Sequence, residues 1–171
     1  AAHSTLTLAD SNSTAVLPDG SLGKGVNEIE LDRSESDASS KADASHDGYV
    51  RRYGLIHRRT LALSSDGKEV RGDDVLLPAS SRKKQGTIPF AARFHLGPGV
   101  EATPTADAMG ALLRIDKGPL WQFRCRGGTL SFDSSRWVDG GSGIQNTVQL
   151  VVAGEAPPGG ANISWSLKRA G

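Results

Sequence analysis

Apolar and polar residues alternate in short runs along this chain, and turn-forming residues separate the runs. Successive side chains of a β-strand point to opposite faces, so this alternation predicts strands with one buried face. The pattern places them at residues 5–8, 13–17, 27–31, 49–53, 55–63, 70–76, 88–95, 111–115, 120–126, 130–133, 147–152 and 162–168. The breakers between them include Pro18-Asp19-Gly20, Ser65-Asp66-Gly67, Gly97-Pro98-Gly99, Lys117-Gly118-Pro119, Gly127-Gly128, Asp139-Gly140-Gly141 and Pro157-Pro158-Gly159-Gly160. Many short strands with regular punctuation favour an antiparallel sandwich or barrel over a parallel α/β sheet. Residues 34–44 are rich in Ser and Asp and carry no apolar stripe, which predicts a loop or an exposed edge rather than a helix. The expected fold is therefore all-β, an antiparallel β-sandwich of many short strands, as a single domain over residues 1–171.

Period-two alternation also assigns faces. In residues 55–63, Leu55, His57, Arg59, Leu61 and Leu63 share one face. Its polar start and apolar finish predict a strand running from a site or rim into the core. In residues 88–95, Phe90, Ala92 and Phe94 share a face opposite Ala91, Arg93 and His95, so Arg93 and His95 are neighbours on one surface.

Composition narrows the function classes. At 171 residues the chain is long enough for a substantial core. Its 20 basic and 19 acidic side chains nearly cancel, so no global field draws it to nucleic acid. The basic clusters Arg51-Arg52, Arg58-Arg59 and Arg82-Lys83-Lys84 lack the interleaved aromatics of a single-strand binder. No apolar run approaches the roughly 20 residues that span a bilayer. Cys125, the only cysteine, cannot form an internal disulfide and reads as a small packed hydrophobe. The chain opens as Ala1-Ala2-His3-Ser4-Thr5-Leu6, already in strand alternation, which leads to the expectation of a fragment truncated on its N-terminal side.

The candidate chemistry lies between His46 and His95. His46, Tyr49, Tyr53 and His57 form the densest group of acid- and base-capable side chains. Two readings stay open for it: a structural network of satisfied polar groups, or a site where Tyr and His move protons beside a carboxylate. Arg58, Arg59 and Arg93 match a uronate carboxylate bidentately, or else form a solvated charged face. Trp121 and Trp165 alternate with apolar neighbours and read as core, whereas Trp137 sits in a polar, Gly-flanked stretch and reads as an exposed sugar-stacking platform. The candidate substrate-binding residues are thus His46, Tyr49, His57, Arg59, Arg93, His95 and Trp137. His3 is a candidate metal ligand, although no close ligand spacing follows it.

The ordered pieces Ala2-His3-Ser4-Thr5-Leu6, His46-Asp47-Gly48-Tyr49, Gly54-Leu55-Ile56-His57-Arg58-Arg59, Gly72-Asp73-Asp74, Arg93-Phe94-His95-Leu96-Gly97-Pro98-Gly99-Val100, Gly118-Pro119-Leu120-Trp121 and Ile163-Ser164-Trp165 carry a resemblance. The chain resembles the C-terminal β domain of bacterial heparinase II/III-like polysaccharide lyases over nearly its whole length. The resemblance implies a β-sandwich partnered by an N-terminal α/α toroid of the same parent chain, with an acidic polysaccharide bound between them. It implies cleavage of uronic-acid-containing polymers, heparin- or alginate-like, by β-elimination, with the main catalytic Asn, His and Tyr on the toroid. This chain alone is then expected to be inactive and to form one wall of the cleft, in a periplasmic or secreted parent. The alternative expectation is a non-catalytic carbohydrate-binding or assembly module. No cofactor is expected to be required. His3 resembles the His of a His-Asn-Thr pattern that ligates a structural zinc in several members, so a zinc is expected in the full-length protein. Ser4 departs from that pattern, and the remaining ligands would precede Ala1. Many relatives carry a second His where this chain has Gly97.

Overall fold

A computed structural model describes residues 3–79, 86–141 and 143–170. Ala1, Ala2 and the basic cluster Arg82-Lys83-Lys84 lie outside the described residues. In chain order the elements are β1 (Leu6–Leu8), β2 (Ile29–Glu35), β3 (Ser39–His46), α1 (Val50–Tyr53), β4 (Leu55–Ser64), β5 (Glu69–Pro78), β6 (Ile88–His95), β7 (Val100–Pro104), β8 (Gly110–Ile115), β9 (Leu120–Arg126), β10 (Thr129–Asp139), β11 (Gly143–Ala156) and β12 (Ala161–Arg169). They form two antiparallel sheets, a small one ordered β1-β6-β11-β10 and a large one ordered β2-β3-β4-β5-β12-β9-β8-β7. The all-β sandwich read from the alternation is the observed fold.

The core lies where the two inner faces meet. The small sheet contributes Leu6, Leu8, Phe90, Ala92, Leu150 and Val152, and the large one Leu55, Leu76, Leu113, Phe123, Cys125 and Ile163. Phe94 bridges the layers, its ring centroid 4.9 Å from both Phe123 and Trp165. Each large apolar side chain removed from water here contributes about 1.5–3 kcal/mol. Cys125 is buried, as its strand position indicates, and burial pushes its thiol up from the ordinary value, with the Arg124 charge pulling partly back. Trp121 and Trp165 pack against this core. Among the described residues no helix is long and apolar enough to cross a membrane.

Several elements differ from the alternation pattern. Residues 49–53 form α1 instead of a strand. Gly54 adopts the left-handed conformation (φ 67°, ψ 22°) and donates its N–H to the Val50 carbonyl, closing a single helical turn. That turn puts Tyr49 and Tyr53 one above the other, ring centroids 6.2 Å apart. Residues 13–17 form no strand beyond a single bridge from Val16 to Leu22. The Ser/Asp-rich stretch resolves as the exposed edge: β2 and β3 pair across Ser36–Ser39, and β2 is exposed along its whole length. The polarity of β4 is the reverse of the expectation. Leu55 and His57 are buried at 3% and 4% exposure, whereas Leu63 is 42% exposed, because the large sheet is wider than the small one and its β2–β4 flank is left uncovered.

Candidate functional site

Two groupings of polar side chains stand out, one inside the sandwich and one on its surface. The interior one is centred on Asp74, which has no exposed surface. The β4–β5 register sets Arg59 opposite Asp74 and Gly72 opposite Leu61, while β12 sets Trp165 opposite Gly72. Arg59 donates from Nε and from its second terminal nitrogen to the Asp74 carboxylate, at 2.7 and 3.0 Å. Trp165 Nε1 donates to it at 3.0 Å and His57 Nε2 at 2.7 Å. Burial pushes the Asp74 carboxyl up, but the hydrogen bonds from His57 and Arg59, with the Arg59 charge, outweigh this and hold it below the ordinary carboxylate value.

The same network fixes the imidazole tautomers. The Gly48 N–H can only donate, so His46 Nδ1 accepts it at 3.2 Å. His46 Nε2 then carries the proton and donates to His57 Nδ1 at 3.3 Å, which leaves His57 Nε2–H for Asp74. Burial, with the neighbouring His57, pushes His46 down to about 4, so its imidazole is neutral near pH 7. Tyr49 is 1% exposed and its hydroxyl donates to the Leu6 carbonyl at 3.0 Å. Burial pushes its phenol up to about 12. Tyr53 donates to Ser11 Oγ at 3.0 Å. The His/Tyr group is therefore a satisfied internal network, the first of the two readings open in the sequence. Tyr49 and His57 do not face solvent, which corrects their placement as substrate contacts.

The surface grouping is a groove of about 1010 Å³. The β6–β11 ladder ends at the pair His95 and Gln149, but β10 and β11 stay paired out to Asp139 and Gly143. This hairpin projects past the sheet and leaves a notch against the segment that precedes β1. His3, Ser4, His95, Ser135, Arg136 and Trp137 line it, with Asn146 and Gln149 from β11. Register puts Ser135 and Trp137 on the same face as Gln149 and His95. His95 Nδ1 lies 2.7 Å from Ser135 Oγ, and the His95 backbone N–H donates to Ser4 Oγ at 3.0 Å. Ser4 is tied to the interior, since Arg59 donates to its carbonyl at 2.7 Å. Trp137 is 41% exposed, and a Cβ built on Gly97 would lie 3.9 Å from its ring. Arg136 is exposed and, among the described residues, has no ion-pair partner.

Three residues singled out in distant parts of the sequence, His3, His95 and Trp137, thus meet in one groove. The expected arginine wall does not form. Arg59 is committed to Asp74, and Arg58 forks onto Asp43 at 2.6 and 2.8 Å. Arg93 shares a strand face with His95, as alternation requires, but it donates to Thr7 Oγ1 at 2.6 Å and approaches Asp10 at 3.6 Å, outside the groove. Sequence reasoning missed Arg136, Ser135, Asn146 and Gln149. Arg136 and Asn146 pair on the other face of the hairpin from Trp137 and border the groove only at its projecting end, so alternation gave no signal for them. Among the described residues no three His, Cys, Asp or Glu side chains converge to hold a metal.

Comparisons with known proteins bear on the family and the fold. The chain is 30% identical to FtsZ-localized protein C of Caulobacter vibrioides, across 95% of this chain and 32% of that protein. Its fold matches the heparan sulfate lyase HepC of Pedobacter heparinus with a TM-score of 0.76 at 12% identity, over 98% of this chain and 24% of the lyase. A structure of heparinase III matches with a TM-score of 0.73 at 15% identity, over 98% of this chain and 23% of that one. The chain thus spans about a third of the curated relative and about a quarter of each lyase. The heparinase II/III-like, C-terminal family matches residues 1–166, and the chain belongs to that family.

Proposed function

We propose that this chain is the β-sandwich domain of a polysaccharide lyase and forms one wall of the cleft that holds a uronic-acid-containing acidic polysaccharide. The observation that carries this reading is the convergence of His3, His95, Arg136 and Trp137 on one groove. A partly exposed indole offers an apolar face to the C–H side of a sugar ring, and a neighbouring guanidinium suits a carboxylate or sulfate bidentately. Ser135, Asn146 and Gln149 add the hydroxyl and amide groups that sugar hydroxyls pair with. His57 and Asp74 are buried, and the partly exposed His46 is committed to Gly48 and His57, so proton abstraction and leaving-group protonation would fall to a toroid domain of the intact protein. A structural zinc that takes His3 as one ligand, with the others from outside this chain, belongs to the same proposal. It predicts metal in the purified intact protein that is lost in His3→Ala.

The test is release of unsaturated uronate from heparin, heparan sulfate and alginate by the intact protein, beside binding measured on Trp137→Ala and Arg136→Ala. Arg136→Ala should weaken substrate or transition-state binding by about 1–3 kcal/mol with little change in Tm, the scale of a charge-assisted hydrogen bond. Unchanged catalytic efficiency in both variants would remove the groove from the substrate path.

A second reading rests on the 30% identity to FtsZ-localized protein C, well above the identity to either lyase. In it the domain is a non-catalytic assembly module recruited to FtsZ structures. A fluorescent fusion of the intact protein separates the two. Recruitment to FtsZ assemblies with no uronate release supports the module, and an exported protein with lyase turnover supports the enzyme.

A further inference from the structure

We infer that the β2 edge of the large sheet docks an extended segment of a partner protein whose residues alternate between apolar and basic. This goes beyond the glycan reading and uses a different surface. Two backbone bonds at the ends of the β2–β3 ladder set its hydrogen-bond phase. Asp47 N–H donates to the Glu28 carbonyl and Ser36 N–H to the Ser39 carbonyl, so the even-numbered residues 28 to 36 direct their N–H and C=O groups at β3. Ile29, Leu31, Arg33 and Glu35 therefore turn their backbone groups away from β3. β2 is terminal in the sheet order, so these groups form an open template for another strand.

The side chains specify what would pair there. Ile29 and Leu31 lie on the inner face, in register with His46 and Ala44, and are 72% and 64% exposed. With the half-buried Ala42, Ala44 and Leu61 they make an apolar strip on the flank that the small sheet does not cover. On the outer face Glu30 and Asp32 point the other way, beside a groove of about 330 Å³ lined also by Lys41 and the Arg58–Asp43 pair, so they are the charges on the edge strand itself. A β-strand added to this edge places its own alternate residues over these two faces, apolar inside and cationic outside.

A second copy of the chain fits poorly. Two-fold antiparallel pairing of β2 with itself keeps each residue on its own face, so it must centre on a single residue. Centring on Leu31 sets Glu30 against Asp32, centring on Asp32 sets that carboxylate against its own copy, and centring on Arg33 sets guanidinium against guanidinium; centring on Ser34 sets Arg33 against Glu35 but leaves Ile29 and Leu31 without a partner on β2, which ends at Glu35. Like charges directly opposite destabilise a strand pair. The edge thus resists self-association and accepts the complementary charge.

The test uses the intact protein with two synthetic peptides, one alternating valine and lysine and one alternating valine and glutamate. The lysine peptide should bind at least about tenfold more tightly. It should also slow hydrogen exchange at the amides of Ile29, Leu31, Arg33 and Glu35. Reversing the charges in the Glu30→Lys/Asp32→Lys double variant should invert the peptide preference. Arg33→Pro removes an N–H that makes no bond to β3, so the fold and Tm should be preserved while peptide binding falls at least about tenfold. Equal binding of both peptides, or wild-type binding by Arg33→Pro, would overturn the proposal. So would β2 amides already protected in the free protein, which would mean that another segment of the same protein covers the edge. Protection that rises with protein concentration would overturn it too, in favour of a second copy.

Discussion

Asp74 shows how one buried side chain can tie three neighbouring strands of a sheet together. It takes donors from β4 and β12, and through Arg59 it reaches Ser4 and the groove. Removing one partner of a buried ion pair typically costs about 3–5 kcal/mol, because the other charge is left unpaired. Arg59→Ala should therefore lower stability on that scale in denaturant titrations and disturb the groove only indirectly, so it is a scaffold residue and not a glycan contact. The neutral His46 adds a pH dependence. Its imidazole is held near 4 in the fold against about 6.5 unfolded, so between those values the unfolded chain binds the extra proton. Stability then falls as pH drops through that window, by about 1–2 kcal/mol once partial exposure is allowed for. His46→Asn should flatten the slope measured by urea unfolding between pH 4 and 6.5. The sequence showed His57 and Arg59 on one face because alternation alone decides that. It did not show their partner, because Asp74 becomes opposite Arg59 only once the Ser65-Asp66-Gly67 turn fixes the β4–β5 register.

At the scale of elements, one close approach is where β5 passes β12. A Cβ built on Gly72 would sit 2.2 Å from Trp165 Cζ2, so the indole can donate to Asp74 only over a residue without a side chain. Gly72→Ala should push the ring aside and cost about 1–3 kcal/mol, with a shift in Trp emission as the readout. The strands that proved easiest to read, β4, β6, β9 and β12, have one face on the core and so carry a clear alternation. Residues 49–53 misled because Tyr and Val favour strands, while the deciding feature was the left-handed Gly54. β7 and the outer ends of β10 and β11 were missed or shortened because no core lies against them to impose a pattern. The groove lies at one of these unpatterned ends, which is why only its aromatic and imidazole members were legible.

For the whole molecule, two-layer architecture followed from the punctuation, whereas which strand joins which sheet did not. Chain order gives no hint that β1 pairs with β6, with Leu6 opposite Ala92, or that β11 completes the layer with Val152 opposite Ala92. Those pairings have a consequence in time. The large sheet holds the consecutive hairpins β2–β3–β4–β5, which can close as soon as they leave the ribosome. The small sheet is assembled from the first, middle and penultimate stretches of the chain, and bringing such distant segments together costs loop entropy before any contact repays it. Pulsed hydrogen exchange during refolding should find β4 and β5 protected early and β1, β6 and β11 late. Until β11 arrives, the apolar inner faces of Leu55, Leu76 and Leu113 stay uncovered, and a nascent chain interrupted before residue 143 should aggregate where the finished domain does not.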